Sequence, residues 1–395
     1  MVAKKTFQYS NVSFYNHLYH LEHCYEKRYK RPSGEPLTII SGLSLPVAER
    51  NDTMAEKWIY WFDELRSEHN DMVGKKCANL GEMVHLGMRV PPGFAISVAG
   101  YEQFMETTGA GAEIREFVQK NQKELINNVE KQIEASRFIR GVIESKPMPA
   151  DMALELWNHY GRLCEQTSCE DVPVAARSSG AVSMPGQMET YLNVRGKKDL
   201  IDKVVRVWGS AFTTRAIAFR LESSMALDKA PIGVAVLKMI DARCAGVTLT
   251  VQPTTGDLSK IVVEGNWGLG ESVVSGEITP DSFVVDKQSG EIVSTIGTKT
   301  KMVVYKDAGT RMVKVPADMQ NSVCLTNEEI EEIARIAKIV EAHFDIPQDM
   351  EWVFDPDQPF PDNLYWVQTR PAKYSRKKES DDEYLAELMT RVFKM

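Results

Sequence analysis

The stretch that decides the fold reads Val172-Pro-Val-Ala-Ala-Arg-Ser-Ser-Gly-Ala-Val-Ser-Met-Pro-Gly-Gln-Met-Glu-Thr-Tyr-Leu-Asn-Val194. An apolar strand delivers Arg177 and the hydroxyls of Ser178 and Ser179. A flexible loop at Ser183–Gly186 follows, then Gln187 and Thr190. Small residues with free backbone N–H groups, beside hydroxyls and a fixed guanidinium, suit a polyphosphate. An ordinary surface loop closing on a structural arginine fits this segment equally well.

Three further segments carry candidate chemistry. Val73-Gly-Lys-Lys-Cys-Ala-Asn-Leu-Gly-Glu-Met83, followed by Pro91-Pro-Gly-Phe94, offers close backbone approach at Gly74. Its ammonium groups, Lys75 and Lys76, stand immediately before a helix whose N-terminal amides favour anions. It is not the GxxxxGK[ST] phosphate loop, and a solvated lysine pair reads as well. Val262-Val-Glu-Gly-Asn-Trp-Gly-Leu-Gly-Glu-Ser-Val-Val-Ser-Gly276 is glycine-rich, with Glu264 and Glu271 placed to order the turn or touch a cation. In Leu364-Tyr-Trp-Val-Gln-Thr-Arg370 the alternation of a strand puts Trp366, Gln368 and Arg370 on one face. The Pro- and Asp-rich stretch Asp355–Asn363 reads as a loop joining it to the strand at 350–354, so Glu351 falls opposite Gln368 or one residue away. A carboxylate and an amide oxygen side by side, one step from an arginine, suit Mg²⁺ bridging phosphate oxygens. A buried Glu–Arg pair is the alternative.

Outward from these segments the pattern is α/β. Helical periodicity covers 113–144, 151–166, 198–225 and 327–343, and short β-branched runs cover 232–240, 246–251, 260–264, 282–286 and the two terminal strands. Residues 1–56 differ. His17, His20 and His23 stand among tyrosines ahead of Lys27-Arg28-Tyr29-Lys30-Arg31, as an aromatic helix that packs on a partner or the main body. A metal face from those histidines lacks a completing carboxylate or cysteine. The tail from Tyr374 is charged and reads as helical.

With 395 residues the chain has room for two to three structural units. Its 47 Lys+Arg against 55 Asp+Glu give a formal charge of −8, which argues against nucleic-acid binding by phosphate neutralisation. The 6 cysteines form no CxxC pair and read as reduced thiols, and Met1-Val-Ala-Lys-Lys opens no signal peptide. No apolar run approaches the ~18 residues a bilayer span requires. A cytoplasmic location is therefore expected.

Taken together and in order, these motifs resemble the nucleotide-binding domain shared by phosphoenolpyruvate synthase, pyruvate phosphate dikinase and rifampicin phosphotransferase. The resemblance also rests on Val207-Trp-Gly-Ser-Ala-Phe-Thr-Thr-Arg-Ala-Ile-Ala-Phe-Arg220, and it covers about residues 57–373. It implies an α/β (α+β) ATP-grasp-like fold whose lobes, at 57–195 and 196–373, clamp MgATP. Residues 1–56 would form an extension and 374–395 a tail. By position, Lys76 resembles the family's phosphate-binding lysine and Arg177 its paired arginine. Gly186, Gln187 and Thr190 fall in the loop over the phosphates, and Glu264 joins the ATP-binding set. Arg215 and Arg220 match arginines of the helical motif. Glu351 and Gln368 resemble the magnesium ligands, and Arg370 the arginine that stabilises the phosphoryl group in flight.

Three departures accompany the likeness. Lys75 and Cys77 replace usual glycines, and Leu237 stands where a glutamine usually reaches the adenine. None of the seven histidines sits in the Thr-Ser-His-Ala-like motif that receives the phosphoryl group in full-length relatives. The resemblance therefore implies a stand-alone ATP-binding subunit that phosphorylates a histidine on a separate partner, docked at the N-terminal extension. Phenylphosphate synthase, with phenol as acceptor, is the favoured match. A split phosphoenolpyruvate synthase acting on pyruvate competes with it. A non-catalytic MgATP sensor is the rival from another class.

Overall fold

The computed structural model describes residues 57–181, 188–274, 276, 278–306 and 309–375. The N-terminal histidines, Gly186, Gln187 and most of the charged tail lie outside the described residues.

The first sheet joins β1 (Ile59–Trp61), β2 (Gly93–Ile96), β3 (Val174–Gly180), β4 (Thr190–Val194) and β5 (Ile232–Lys238) in the order β1-β2-β5-β3-β4, all antiparallel. Ala176 and Val174 on one face of β3 enter a core with the long helices, while Ala175 on the other face enters a second core. Arg177 shares parity with Ala175 and so lies on that second face. The second sheet runs β13 (Leu364–Pro371), β12 (Gln348–Phe354), β6 (Cys244–Leu249), β7 (Lys260–Trp267), β8 (Asp281–Asp286) and β9 (Ile292–Thr295). A separate hairpin pairs β10 (Lys301–Tyr305) with β11 (Thr310–Lys314). This mixed architecture is the expected α+β, ATP-grasp-like class.

The helices follow their apolar spacing and caps. After the short α1 (Asn70–Val73) come α2 (Lys75–His85), α3 (Val98–Thr107), α4 (Ala110–Leu125), α5 (Val129–Ser145), α6 (Ala150–Thr167), α7 (Gly196–Ser210) and α8 (Thr214–Glu222). The amphipathic stretch 113–144 is thus two helices, with Asn128 accepting from Lys131 N at 3.1 Å to start the second. The stretch 198–225 likewise divides, with Thr213 capping α8 through Ala216 N. After α9 (Glu271–Val274), α10 (Asn327–Phe344) opens on a Thr326/Glu329 capping box. Its Ile330, Ile333, Ala337 and Val340 pack under the second sheet with Trp352 and Trp366. No helix among the described residues is long and apolar enough to cross a membrane.

One expectation needs correction. Trp366 does not share a face with Gln368. Trp352 pairs with Trp366 and Glu351 with Gln368, with a register shift between Glu351 and Trp352. Val367 is the extra residue of a bulge, which reverses the alternation along β13. Cross-strand partners share a face, so Trp366 joins Trp352 in the core while Gln368 and Glu351 turn to the opposite side.

Candidate functional site

The site begins at Gly74, with φ +78°, where a Cβ would stand 2.0 Å from the Ser179 carbonyl oxygen. Glycine alone permits this approach. It seats the first turn of α2 against β3, where Cys77 N donates to Ser179 Oγ at 3.1 Å and Lys76 Nζ to Ser178 O at 2.9 Å. Lys75 and Lys76 therefore belong to the helix itself rather than to the turn before it. Cys77 points away from solvent into the shared core, and burial pushes its thiol up to about 12.

Arg177, directed from β3 towards the second sheet, makes the central junction. Its Nη2 donates to Glu351 Oε2 at 3.0 Å and to Gln368 Oε1 at 2.9 Å, and its Nη1 to Val367 O at 3.1 Å. Gln368 Nε2 in turn donates to Glu351 Oε1 at 2.7 Å. The Nε of Arg177 is buried without a hydrogen-bond partner among the described residues. Two residues along β13, Arg370 donates to Asp349 Oδ2 at 2.8 Å, a partner the sequence reading missed. Burial raises the Asp349 carboxyl, opposed by Arg370.

The cluster is rich in cations. Burial, and then the Arg177 charge, push Lys76 from 10.5 down to about 8, with Glu351 opposing. The Lys76 ammonium donates to a carbonyl, and among the described residues no carboxylate bonds it as a counter-ion. Three cations against two carboxylates leave a surplus of positive charge that suits an anion larger than one carboxylate.

Gln368, Glu351, Val247, Glu264 and Ser282 form one cross-strand row over the second sheet. Glu264 therefore faces the same side as Glu351, two strand spacings or roughly 10 Å away. Burial raises its carboxyl. Beside the row lies a cavity of about 620 Å³ bordered by Arg177, Thr190, Glu351 and Glu271. Leu192, Leu237, Met239 and Val353 give it apolar walls, and Thr310 and Arg311 of the hairpin close it. Leu237 is thus a wall residue where the family resemblance anticipates a polar contact. Arg215 is exposed on α8, while Arg220 is buried over the Phe212 ring and donates to Lys229 O, so neither joins the cluster. A second hollow of about 910 Å³, beside Tyr160, Arg195 and Lys198, holds none of the predicted residues.

The donors present fit a magnesium ion. Glu351 and Gln368 offer two hard oxygens from adjacent strands, and Mg²⁺ takes few protein ligands when phosphates supply the rest. The described residues contain no cluster of three or more His, Cys, Asp or Glu suited to an all-protein metal site.

Two antiparallel sheets meeting at a cationic cluster beside an apolar cavity define an ATP-grasp-like nucleotide-binding domain. The chain belongs to the family described as pyruvate phosphate dikinase, AMP/ATP-binding domain, whose profile matches residues 70–389. It is 36% identical over 345 residues to a probable phosphoenolpyruvate synthase of Methanothermobacter thermautotrophicus, covering 85% of this chain and 49% of the relative. Against the phosphoenolpyruvate synthase of Pyrococcus furiosus it is 34% identical over 374 residues, covering 84% of this chain and 45% of the relative. The chain thus spans about half the length of the curated relatives it matches.

Proposed function

We propose that this chain is the ATP-binding part of a dikinase-type phosphotransferase, which moves the β-phosphoryl group of MgATP to a histidine on a separate partner subunit. The observation that carries the reading is the junction of Arg177 from one sheet with Glu351 and Gln368 from the other. Family membership supplies the nucleotide. Lys76, Arg177 and Arg370 neutralise and orient the triphosphate, because phosphoryl transfer requires positioning and charge compensation more than covalent help. Glu351 and Gln368 hold Mg²⁺, which supplies further charge neutralisation on the phosphate oxygens. Thr190 stands at the cavity beside Arg177, its cross-strand partner. The apolar walls take the base, with Glu264 and Glu271 bordering the nucleotide's outer side.

In the transfer, the bond between the bridging oxygen and Pβ breaks, AMP leaves, and the β-phosphoryl group ends on a histidine nitrogen. Water then cleaves the bond bridging Pβ and Pγ, so the γ-phosphate departs as inorganic phosphate and the β-phosphoryl group stays on the histidine. Of the described histidines, His343 bonds Glu82, and His159 packs against Trp61 and Phe94. The names of the relatives favour pyruvate as the final acceptor, reached through the partner, with phenol as the second reading. The test mixes the purified chain with Mg²⁺, β-labelled ATP and a histidine-domain protein of this family. Acid-labile phosphohistidine appearing with AMP supports the proposal. ATP binding with no partner-dependent AMP overturns it in favour of an MgATP sensor.

A further inference from the structure

β13 is the outer strand of the second sheet, so its free edge needs partners outside that sheet. The first half of the fold provides them. Trp366 N donates to Arg89 O at 2.8 Å, and Val367 O accepts from Arg177 at 3.1 Å. Thr369 O accepts from Asn79 Nδ2 at 2.8 Å in a buried hydrogen bond. Thr369 lies between Gln368 and Arg370, and its hydroxyl donates to Gln348 Oε1 on β12 at 2.9 Å.

Asn79 also stands three residues after Lys76 on α2, one turn along the same face and about 4.5 Å along the axis. Besides the Cys77 bond to Ser179 Oγ and the Glu82 contact with His343, the first two turns of the helix carry one side-chain attachment to each sheet. Lys76 bonds Ser178 O on the first sheet, and Asn79 bonds Thr369 O on the second. Asn79 is only 6% exposed, too deep to meet a nucleotide held in the cavity. We propose that Asn79 is a positioning residue for the phosphate site: its amide fixes α2 against β13, and so sets the spacing between Lys76 and the pair Gln368 and Arg370.

This rests on the reading of the cluster as a triphosphate site and adds a residue that never touches the ligand. Both cations must reach one polyphosphate, and a shift of about 1 Å between their supports weakens contacts made jointly. The base end of the cavity is built by β5, β6 and the hairpin and does not pass through Asn79. Loss of the amide therefore weakens binding of a triphosphate and spares binding that depends on the base.

The experiment titrates the full chain with MgATP and, separately, with AMP across pH 6.5–9.5. The variants are Asn79→Leu, which keeps the volume and removes the donor, and Asn79→Gln, which restores an amide. The wild type is expected to prefer MgATP over AMP. In Asn79→Leu that preference falls at least tenfold with AMP affinity unchanged, the pH midpoint of MgATP binding moves, and Asn79→Gln recovers part of both. If Asn79→Leu does not fold, Asn79→Ala serves, because a water then satisfies the Thr369 carbonyl. Unchanged preference in a folded variant overturns the positioning role, as does equal weakening of MgATP and AMP. A wild type without preference for MgATP instead overturns the triphosphate reading itself.

Discussion

Lys76→Met should stabilise the nucleotide-free protein while removing triphosphate binding. Burial and the neighbouring Arg177 lower the Lys76 pKa from 10.5 to about 8 in the folded chain. At about 1.4 kcal/mol per unit, keeping that ammonium charged costs about 3 kcal/mol. Loss of the hydrogen bond to Ser178 O returns about 1 kcal/mol of that. The net gain expected for Met, which keeps the buried stem, is about 2 kcal/mol at pH 7. The sign follows from linkage. The folded pKa is depressed, so between about 8 and 10.5 the unfolded chain binds more protons and wild-type stability rises with pH. The advantage of the variant is therefore full below about pH 8 and fades as pH approaches 10.5. Urea unfolding of both proteins at pH 7 and pH 10, compared as a difference, cancels other titrating groups. A variant no more stable than wild type at pH 7, or an advantage that grows with pH, would refute the claim that this half-buried ammonium is costly to keep charged. Calorimetry with MgATP completes the test, since the same substitution should weaken binding at least tenfold.

Other outcomes follow from the same geometry. Arg370→Ala should fold normally, because its side chain is 36% exposed, yet abolish phosphoryl transfer. In that variant the Asp349 carboxyl, already raised by burial, should titrate still higher once its arginine is gone, as read by NMR. Cys77 should resist thiol reagents in the native state and react only on denaturation, since burial holds its thiol near 12. Trp352→Ala removes a 1% exposed ring beneath the second sheet, and its denaturation midpoint should report a loss of about 3–5 kcal/mol.

Much of this arrangement was legible in the residues. The spacing of Glu351 and Gln368 about the loop Asp355–Asn363 places them opposite each other or one residue apart, and the structure pairs them directly. The strand delivering Arg177 and the close approach at Gly74 are likewise local properties of small residues. The face of Trp366 was not legible, because a bulge depends on how two strands meet rather than on the pattern of one. Asp349 and Asn79 escaped notice for a related reason. Each acts through a partner distant in sequence, Asp349 through Arg370 and Asn79 through Thr369. Leu237 drew attention as a departure from a motif, yet its meaning emerges only once Leu192, Met239 and Val353 join it around one cavity.

The central claim is that the junction of the two sheets, and no other hollow, receives the nucleotide. A crystal structure with Mg²⁺ and a non-hydrolysable ATP analogue tests it most directly. The account predicts the base against Leu237 and Met239, phosphate oxygens bonded by Lys76 and Arg177, and the metal on Glu351 and Gln368. A nucleotide seated instead in the hollow beside Tyr160 and Arg195, with the Arg177–Glu351–Gln368 bonds undisturbed, would contradict it.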